Sequence, residues 1–489
     1  MKKRYFCLSI ILIAVLFFSC ADDSSQISPE NGVQNVGGNE NEVYTTIPSV
    51  ASPNLEPKDM GGRTFNIMTV GWFGHAPLDI TDITTEELTG ESLNDAVYNR
   101  ILYLEDKYNI IINEINHPDH NAAAERIGRF VMADDPAYDL CFIRSTNFIN
   151  LVTNRFILDL AEIPIIDISK PWWDSNSYDA LSLFGRHYAI CSDMTMNDYL
   201  AIWAIYFNKD MIQNYGLDDP YALVESGQWT YDRLFDMGRQ VTRDLNGDGI
   251  MNRHDLFGIH HSNDTVTGML NCIGINFGGI DSNGYPEFTL DRPENITRML
   301  SLLERLFDQE QVYNFHSRGE GQGEVCMFSR GQVLFNFSAI HMAPMLRMME
   351  QDFGILPYPK YDENQPNYIS SASPLFLTLA VVPITNRDLE STGMIMEDMA
   401  YQGYRTIRPA FYDLLLQGRI ARDEESLVML DYLFDNVQYD VGGLLNIGNF
   451  SWDFAVTIPN NYDLNITSFI ERQRGRIDSS IDAIIEALR

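Results

Sequence analysis

The sequence predicts an α/β fold in which mostly parallel sheets are flanked by helices. Three observations carry this. Between residues 64 and 144, strand-like and amphipathic helical segments alternate in the order β-α-β-α-β. The alternation resumes after residue 200, and the last third is mainly helical. The 489-residue chain is 45% hydrophobic, enough for two or three packed units at ~150 residues each. Strands joined through helices pair in parallel and bury both sheet faces, hence the fold class.

Before the first strand comes a leader. Lys2, Lys3 and Arg4 precede an apolar run, Leu8 to Phe18, too short to span a bilayer comfortably. Ser19-Cys20 then meets Ala21-Asp22-Asp23-Ser24-Ser25. That pattern is secretory. A cysteine directly after the cleavage point resembles the bacterial lipoprotein signal, in which it carries acyl chains such as palmitate. The alternative is an ordinary secretory leader with an incidental cysteine. Residues 1–19 read as the leader and Cys20 as the lipidation site. Residues 20–61, rich in Asp, Ser, Asn, Gly and Pro, form a tether that cannot bury enough surface to order itself. The rest is expected outside the cytoplasm, anchored to the bacterial cell membrane on its outer face or in the periplasm.

Net charge is −34 and becomes more negative when the basic leader is lost. Such a surface repels phosphates and argues against nucleic-acid binding. Cys141, Cys191, Cys272 and Cys326 each sit in an apolar stretch without CxxC spacing, so buried free thiols are expected.

Thr64 to Val70 is a buried strand. Glu91 to Lys107 carries Leu93, Ala96, Val97, Ile101 and Leu104 at helical spacing. Tyr108 to Ile115 is a strand, Ala122 to Met132 a helix, Tyr138 to Arg144 a strand and His187 to Cys191 another. Leu200 to Phe207 is a strong strand. Thr230 caps a helix reaching about Arg243, followed by a short strand, Asp255 to His260. Glu294 to Val312 is an amphipathic helix. Strands return at Val333 to Phe337 and Leu375 to Val382. The last helix aligns Phe469, Ile470, Ile477, Ile481, Ile484, Ile485 and Leu488.

The joint order of several motifs adds a resemblance. LAIWAIYF at 200–207 leads into NKD, then QWTYDRLFDMGRQVTRDLNGDG at 228–249 and DLFGI at 255–259. FSRGQVLFNFSAI (328–340), DFGILPYPKYDE (352–363), VVPITNRDLESTGMIMEDMA (381–400) and ARDEESLVMLDYLFD (421–435) follow. Together they are similar to the extracellular solute-binding proteins of bacterial ABC importers, of the family 1 type that includes carbohydrate binders. The resemblance implies a type II periplasmic-binding-protein fold with two lobes. Lobe 1 would hold residues 62–188 with 355–385, and lobe 2 residues 193–354 with 386–489. Crossings would fall near Ile190–Ser192, Gly354 and Pro383–Thr385. It also implies a monomer that performs no bond chemistry, closes on a solute and serves ABC permease subunits.

Asp244 to Asp255 has calcium-loop spacing. Asp244, Asn246 and Asp248 supply oxygens at positions 1, 3 and 5, Gly249 the turn, Ile250 a carbonyl and Asp255 the position-12 carboxylate. A structural Ca2+ is expected. An empty polar turn and a dockerin-like docking role are the competing readings, the latter weakened because only one such loop occurs.

Ligands of open α/β sheets sit beyond the carboxyl ends of strands. That rule selects Trp72 and Phe73, Arg144 and Ser145, Asp193, and Asn336 and Phe337; a late Trp452 joins them by the resemblance. Sugars suit this set, since ring C–H faces stack on aromatics and hydroxyls need paired donors and acceptors. Arg144 could equally serve a carboxylate ligand or a buried ion pair. Trp203 and Trp229 read as core. His260 and His261 point to opposite strand faces, against a metal.

No GxSxG, HExxH or GxxxxGK[ST] motif occurs. The leading expectation is a lipid-anchored receptor for a sugar or oligosaccharide. A surface glycan-capture lipoprotein without ABC coupling, and a two-carboxylate glycoside hydrolase, are the alternatives.

Overall fold

The computed structural model describes residues 52–71, 80–316, 326–416, 424–435 and 437–489. Cys20, Trp72 and Phe73 lie outside the described residues. Two sheets form the frame. In the first, β1 (Arg63–Val70) pairs in parallel with β2 (Ile110–His117), from Arg63↔Ile110 to Val70↔His117. On its other side β1 pairs in parallel with β3 (Leu140–Arg144). A late strand, Thr378–Val381, closes this sheet antiparallel to β3.

Local signals place the connecting helices. The Glu91 side chain accepts from the Asn94 N–H and starts α1 (Ser92–Tyr108); Asn109 ends it in the left-handed region, at φ 46°. Val97, Ile101, Leu104 and Tyr108 are buried. Asp119 caps α2 (His120–Met132) by accepting from the Asn121 and Ala122 N–H groups.

The second sheet is built on β4 (Trp203–Asn208), β5 (Phe257–His261), β6 (Val312–Asn314), β7 (Val333–Ala339) and β8 (Phe353–Leu356), in the order β6-β5-β7-β4-β8. β6, β5 and β7 run parallel, while β4 is antiparallel to both β7 and β8. The strand expected from Leu200 starts at Trp203, because Asn197–Leu200 forms a helical turn. The helix expected to run to Val312 stops at Leu306, since Val312 is taken into the sheet opposite Ile259. The helix Tyr231–Val241, capped by Thr230, lies close on β5. Glycine permits this: a Cβ on Gly258 would stand 2.2 Å from the Gly238 Cα.

The chain's passages between the sheets differ in part from expectation. Ile190 pairs with Ala380 of the first sheet, and Trp203 opens a strand of the second. The resemblance put this passage near Ile190–Ser192. Gly354, however, lies inside β8 of the second sheet, opposite Phe207. The second passage instead runs from Ala372, paired with Ile202, to Thr378, paired with Arg144. The segment after Pro383 also departs from its expected lobe. Helices α3 (Leu389–Gln402) and α4 (Arg408–Leu416) pack on α1, beside the first sheet. Apolar packing and polar contacts hold them there: Met394, Ile395, Met396 and Met399 are buried, Asp398 takes the Lys107 ammonium at 2.8 Å and the Tyr108 hydroxyl at 2.9 Å, and Asp388 meets Arg63 at 3.3 Å. The next helix, α5 (Glu424–Phe434), packs on β8. The last helix, α6 (Ile466–Leu488), buries Phe469, Ile470, Ile477 and Ile484 and touches the helix Phe148–Thr153. Cys141, Cys191 and Cys272 are buried free thiols. Among the described residues no helix is long and apolar enough to cross a membrane.

Candidate functional site

A cavity of about 220 Å³ opens beside the first passage between the sheets. Its walls come from four stretches of chain. Trp172, Trp173 and Asp174 form a short ladder against residues 191–193, with the Asp193 N–H on the Trp172 carbonyl (3.0 Å) and the Asp174 N–H on the Cys191 carbonyl (3.1 Å). The passage itself gives Asp193, Asp198, Tyr199 and Ile202. α4 gives Arg408, and the end of α5 with the chain after it gives Phe434, Asp435, Val437 and Tyr439.

Two features shape the floor. The Glu397 carboxylate, on α3, accepts from both indole N–H groups, Trp172 at 3.0 Å and Trp173 at 2.9 Å. It also accepts the Asp167 N–H at 3.1 Å. Between α3 and α4 lies one π-turn, Gly403–Ile407, a distortion often found at functional sites. Its glycine is needed because the passage presses on it: a Cβ at Gly403 would stand 1.6 Å from the Asp193 carbonyl oxygen.

Acids dominate the lining. Asp174 caps the helix Ser175–Ala180 and accepts the Tyr439 hydroxyl at 2.5 Å. Asp193 accepts the Tyr199 hydroxyl at 3.0 Å and faces Arg408 at 3.9 Å. Burial pushes the Asp193 carboxyl up to about 6, against the pull of Arg408. Asp198 is raised well above the usual carboxylate range, by burial first and then by Asp193 and Asp174. Arg408 lies over the rings of Tyr199, Tyr404 and Tyr412 at 5.5, 5.8 and 5.9 Å. Rings beside carboxylates and a guanidinium offer stacking faces together with hydroxyl donors and acceptors.

Of the described ligand candidates from the sequence, Asp193 alone lines this cavity. Arg144 is wholly buried and bonded to Asn197, Thr378 and the Phe376 carbonyl. It ties the two passages together. The Ser145 hydroxyl donates to the Pro374 carbonyl. The Asn336 carbonyl oxygen meets His260 Nδ1 at 2.6 Å, and Phe337 packs edge-on to Tyr358 inside the second sheet. Strand ends chosen by rule were thus absorbed into the joint between the sheets. Trp452 is 47% exposed on the helix Phe450–Asn461, away from the cavity lining. Trp203 and Trp229 are core. Sequence reasoning missed Trp172, Trp173, Asp198, Tyr199, Arg408 and Tyr439. The paired tryptophans followed by Asp174 were the available signal; Arg408, on α4, and Tyr439, just after the strand Val437–Gln438, come from distant stretches and had none.

In the 244–255 loop, carboxylates organise the turn through backbone N–H groups. Asp244 accepts from Gly247 at 2.7 Å and Gly249 at 2.8 Å; Asp248 accepts from Ile250 at 2.8 Å. Asn246 accepts from Asp248 at 2.9 Å. Asp255 is buried and accepts from Leu245 at 3.0 Å and Asn252 at 2.8 Å. Among the described residues no three His, Cys, Asp or Glu side chains gather as metal ligands. His260 and His261 are both buried and held neutral, at about 3 and 4, chiefly by burial.

No protein-family model and no curated protein matches the sequence. Solved structures do match the fold. A substrate-binding protein of an ABC system from Listeria monocytogenes, in complex with cycloalternan, is 13% identical and superposes at TM-score 0.53 over 87% of this chain and 99% of its own. The GacH receptor of Streptomyces glaucescens, determined unliganded and with acarbose, gives 13% and 0.53 over 87% and 98%. A sugar transporter from Rhizobium etli in an open conformation gives 11% and 0.53 over 87% and 98%. The chain therefore has the type II periplasmic-binding-protein fold along nearly all of those proteins' length.

The raised Asp193 carboxyl makes a pH prediction. A buried acid with folded pKa near 6 and unfolded pKa near 3.8 binds its proton more tightly when folded, so its contribution to stability falls as pH rises from about 4 to 6. Urea unfolding of the wild type and Asp193→Asn should show the wild type gaining on the variant by about 1–3 kcal/mol between pH 7 and pH 4. Parallel stability curves would contradict the assignment.

Proposed function

We propose that this chain is an extracytoplasmic receptor that captures a carbohydrate solute beside the passage between its two sheets and releases it unchanged to ABC permease subunits. The observation that carries the reading is the cavity at that passage, walled by aromatic rings, carboxylates and one guanidinium, within a fold shared with sugar-bound receptors. Its chemistry is recognition. A sugar ring would lie on an aromatic face, and its hydroxyls would donate to Asp193 and Asp198 and accept from Arg408. A solute lacking those hydroxyls would leave buried polar groups unpaired, which is the source of selectivity. The permease and the ATP-hydrolysing subunits would be other chains, since the sequence carries no phosphate-binding loop. Lipidation at Cys20 would keep the receptor near them.

The proposal extends to calcium in the 244–255 loop. Asp244, Asn246, Asp248 and the Ile250 carbonyl offer hard oxygen donors on an exposed turn, with Asp255 beneath. Calcium would be structural, clipping the helix Tyr231–Val241 to β5.

Two measurements test these readings. In a thermal-shift panel of mono- and oligosaccharides, at least one sugar should raise Tm at saturating concentration, by mass action, and be recovered intact. A flat response to the whole panel, or release of reducing ends, would sink the receptor reading. For calcium, the dialysed wild type should retain about one ion per chain and lose melting temperature with chelator, whereas Asp244→Ala should do neither. Metal-free wild type indifferent to chelator would end the calcium proposal.

A further inference from the structure

The cavity's charges do not balance, and the imbalance names a ligand class. Asp174, Asp193, Asp198 and Asp435 line it, against Arg408 as the one cation among its described lining residues. Two of these acids already have partners. Asp174 is held by the Tyr439 hydroxyl and the Ser177 N–H. Asp193 has the Tyr199 hydroxyl on Oδ1, while its Oδ2, without a hydrogen bond, faces Arg408 at 3.9 Å. Asp198 is a further case. Its residue is only 7% exposed, it lines the cavity, and its Oδ1 receives no hydrogen bond.

A buried carboxyl oxygen without a donor is costly, more so beside like charge. A neutral hydroxyl would supply a donor but leave the surplus of acids uncompensated. An ammonium group supplies both donors and charge. The surrounding rings of Trp173, Tyr199, Phe434 and Tyr439 also suit a cation, which is attracted to aromatic faces. Size bounds the rest of the ligand. A cavity of ~150 Å³ admits benzene, so about 220 Å³ admits one sugar-sized ring.

Resting on the receptor reading above, we propose that the cavity takes a single amino-sugar ring, its protonated amine seated against Asp198 and Asp193. Burial first, and then Asp193 and Asp174, raise the proton affinity of Asp198; an ammonium beside it would oppose that shift.

Isothermal calorimetry on the whole folded protein at pH 7 tests this with glucosamine, N-acetylglucosamine, glucose and spermidine. The expected result is glucosamine binding at least tenfold tighter than either N-acetylglucosamine or glucose. In Asp198→Asn the ratio of glucosamine to glucose affinity should collapse toward one. Should that variant fail to fold, Asp435→Asn at the exposed rim should lower the same ratio two- to threefold. Glucose or N-acetylglucosamine binding as tightly as glucosamine overturns the amine assignment and leaves the receptor reading standing. Spermidine binding with no response to any sugar overturns the amino-sugar assignment and the carbohydrate reading together. An unchanged ratio in a folded Asp198→Asn overturns the placement of the amine.

Discussion

A chain that runs between two sheets must hold its passages side by side, and here one buried guanidinium does most of that. Arg144, at the carboxyl end of β3, reaches Asn197 on the first passage and Thr378 with the Phe376 carbonyl on the second. A second clamp secures the same region: Asp82 accepts from the Thr195 hydroxyl at 2.7 Å and the Met196 N–H at 2.6 Å. Arg100 donates to the Met194 carbonyl at 2.7 Å. Burial draws Arg100 down to about 10, still charged at neutral pH. Breaking a buried charged network by removing one partner costs about 3–5 kcal/mol. The passage carrying Asp193 and Asp198 is therefore fixed from both ends.

With the passage fixed, the cavity follows from what is packed against it. Glu397 gathers the two tryptophans from one side, and the π-turn at Gly403 lets the Asp193 backbone approach from another. The acids so collected raise one another's proton affinity, which works against folding at neutral pH. Local violations of the rules of stability cluster where function is placed. On the proposed reading, a solute that brings donors or positive charge would relieve the same cost, so its affinity and the cost of gathering these acids would have one origin.

Much of this was legible in the sequence. β1, α1, β2, α2 and β3 stand nearly where periodicity placed them, because each is a local pattern with a local cap: Glu91 for α1, Asp119 for α2. The passages between the sheets were harder to read: the strand expected from Leu200 begins only at Trp203. Gly354, where the resemblance put a crossing, sits mid-strand, and Phe207 and Tyr221 crowd the place a Cβ would need. The helices from Leu389 to Leu416 lie beside the first sheet and not with the second, where the resemblance put them; contacts such as Lys107 with Asp398 join residues far apart in sequence and carry no periodic signature. The site failed for a similar reason. Arg144 has the chemistry of a ligand contact, yet its position at the joint uses it structurally. The cavity draws on Trp172, Asp198, Arg408 and Tyr439, from four distant stretches that meet only once the passages are folded.

The most direct test is a crystal structure of the protein with whichever sugar raises its melting temperature. Density for one ring is expected beside the 192–202 passage, within hydrogen-bond reach of Asp193 or Asp198 and against an aromatic face of Trp173 or Tyr199. Ring density on the exposed face of Trp452, with solvent alone beside Asp193 and Asp198, would contradict the placement of the solute at the passage between the sheets.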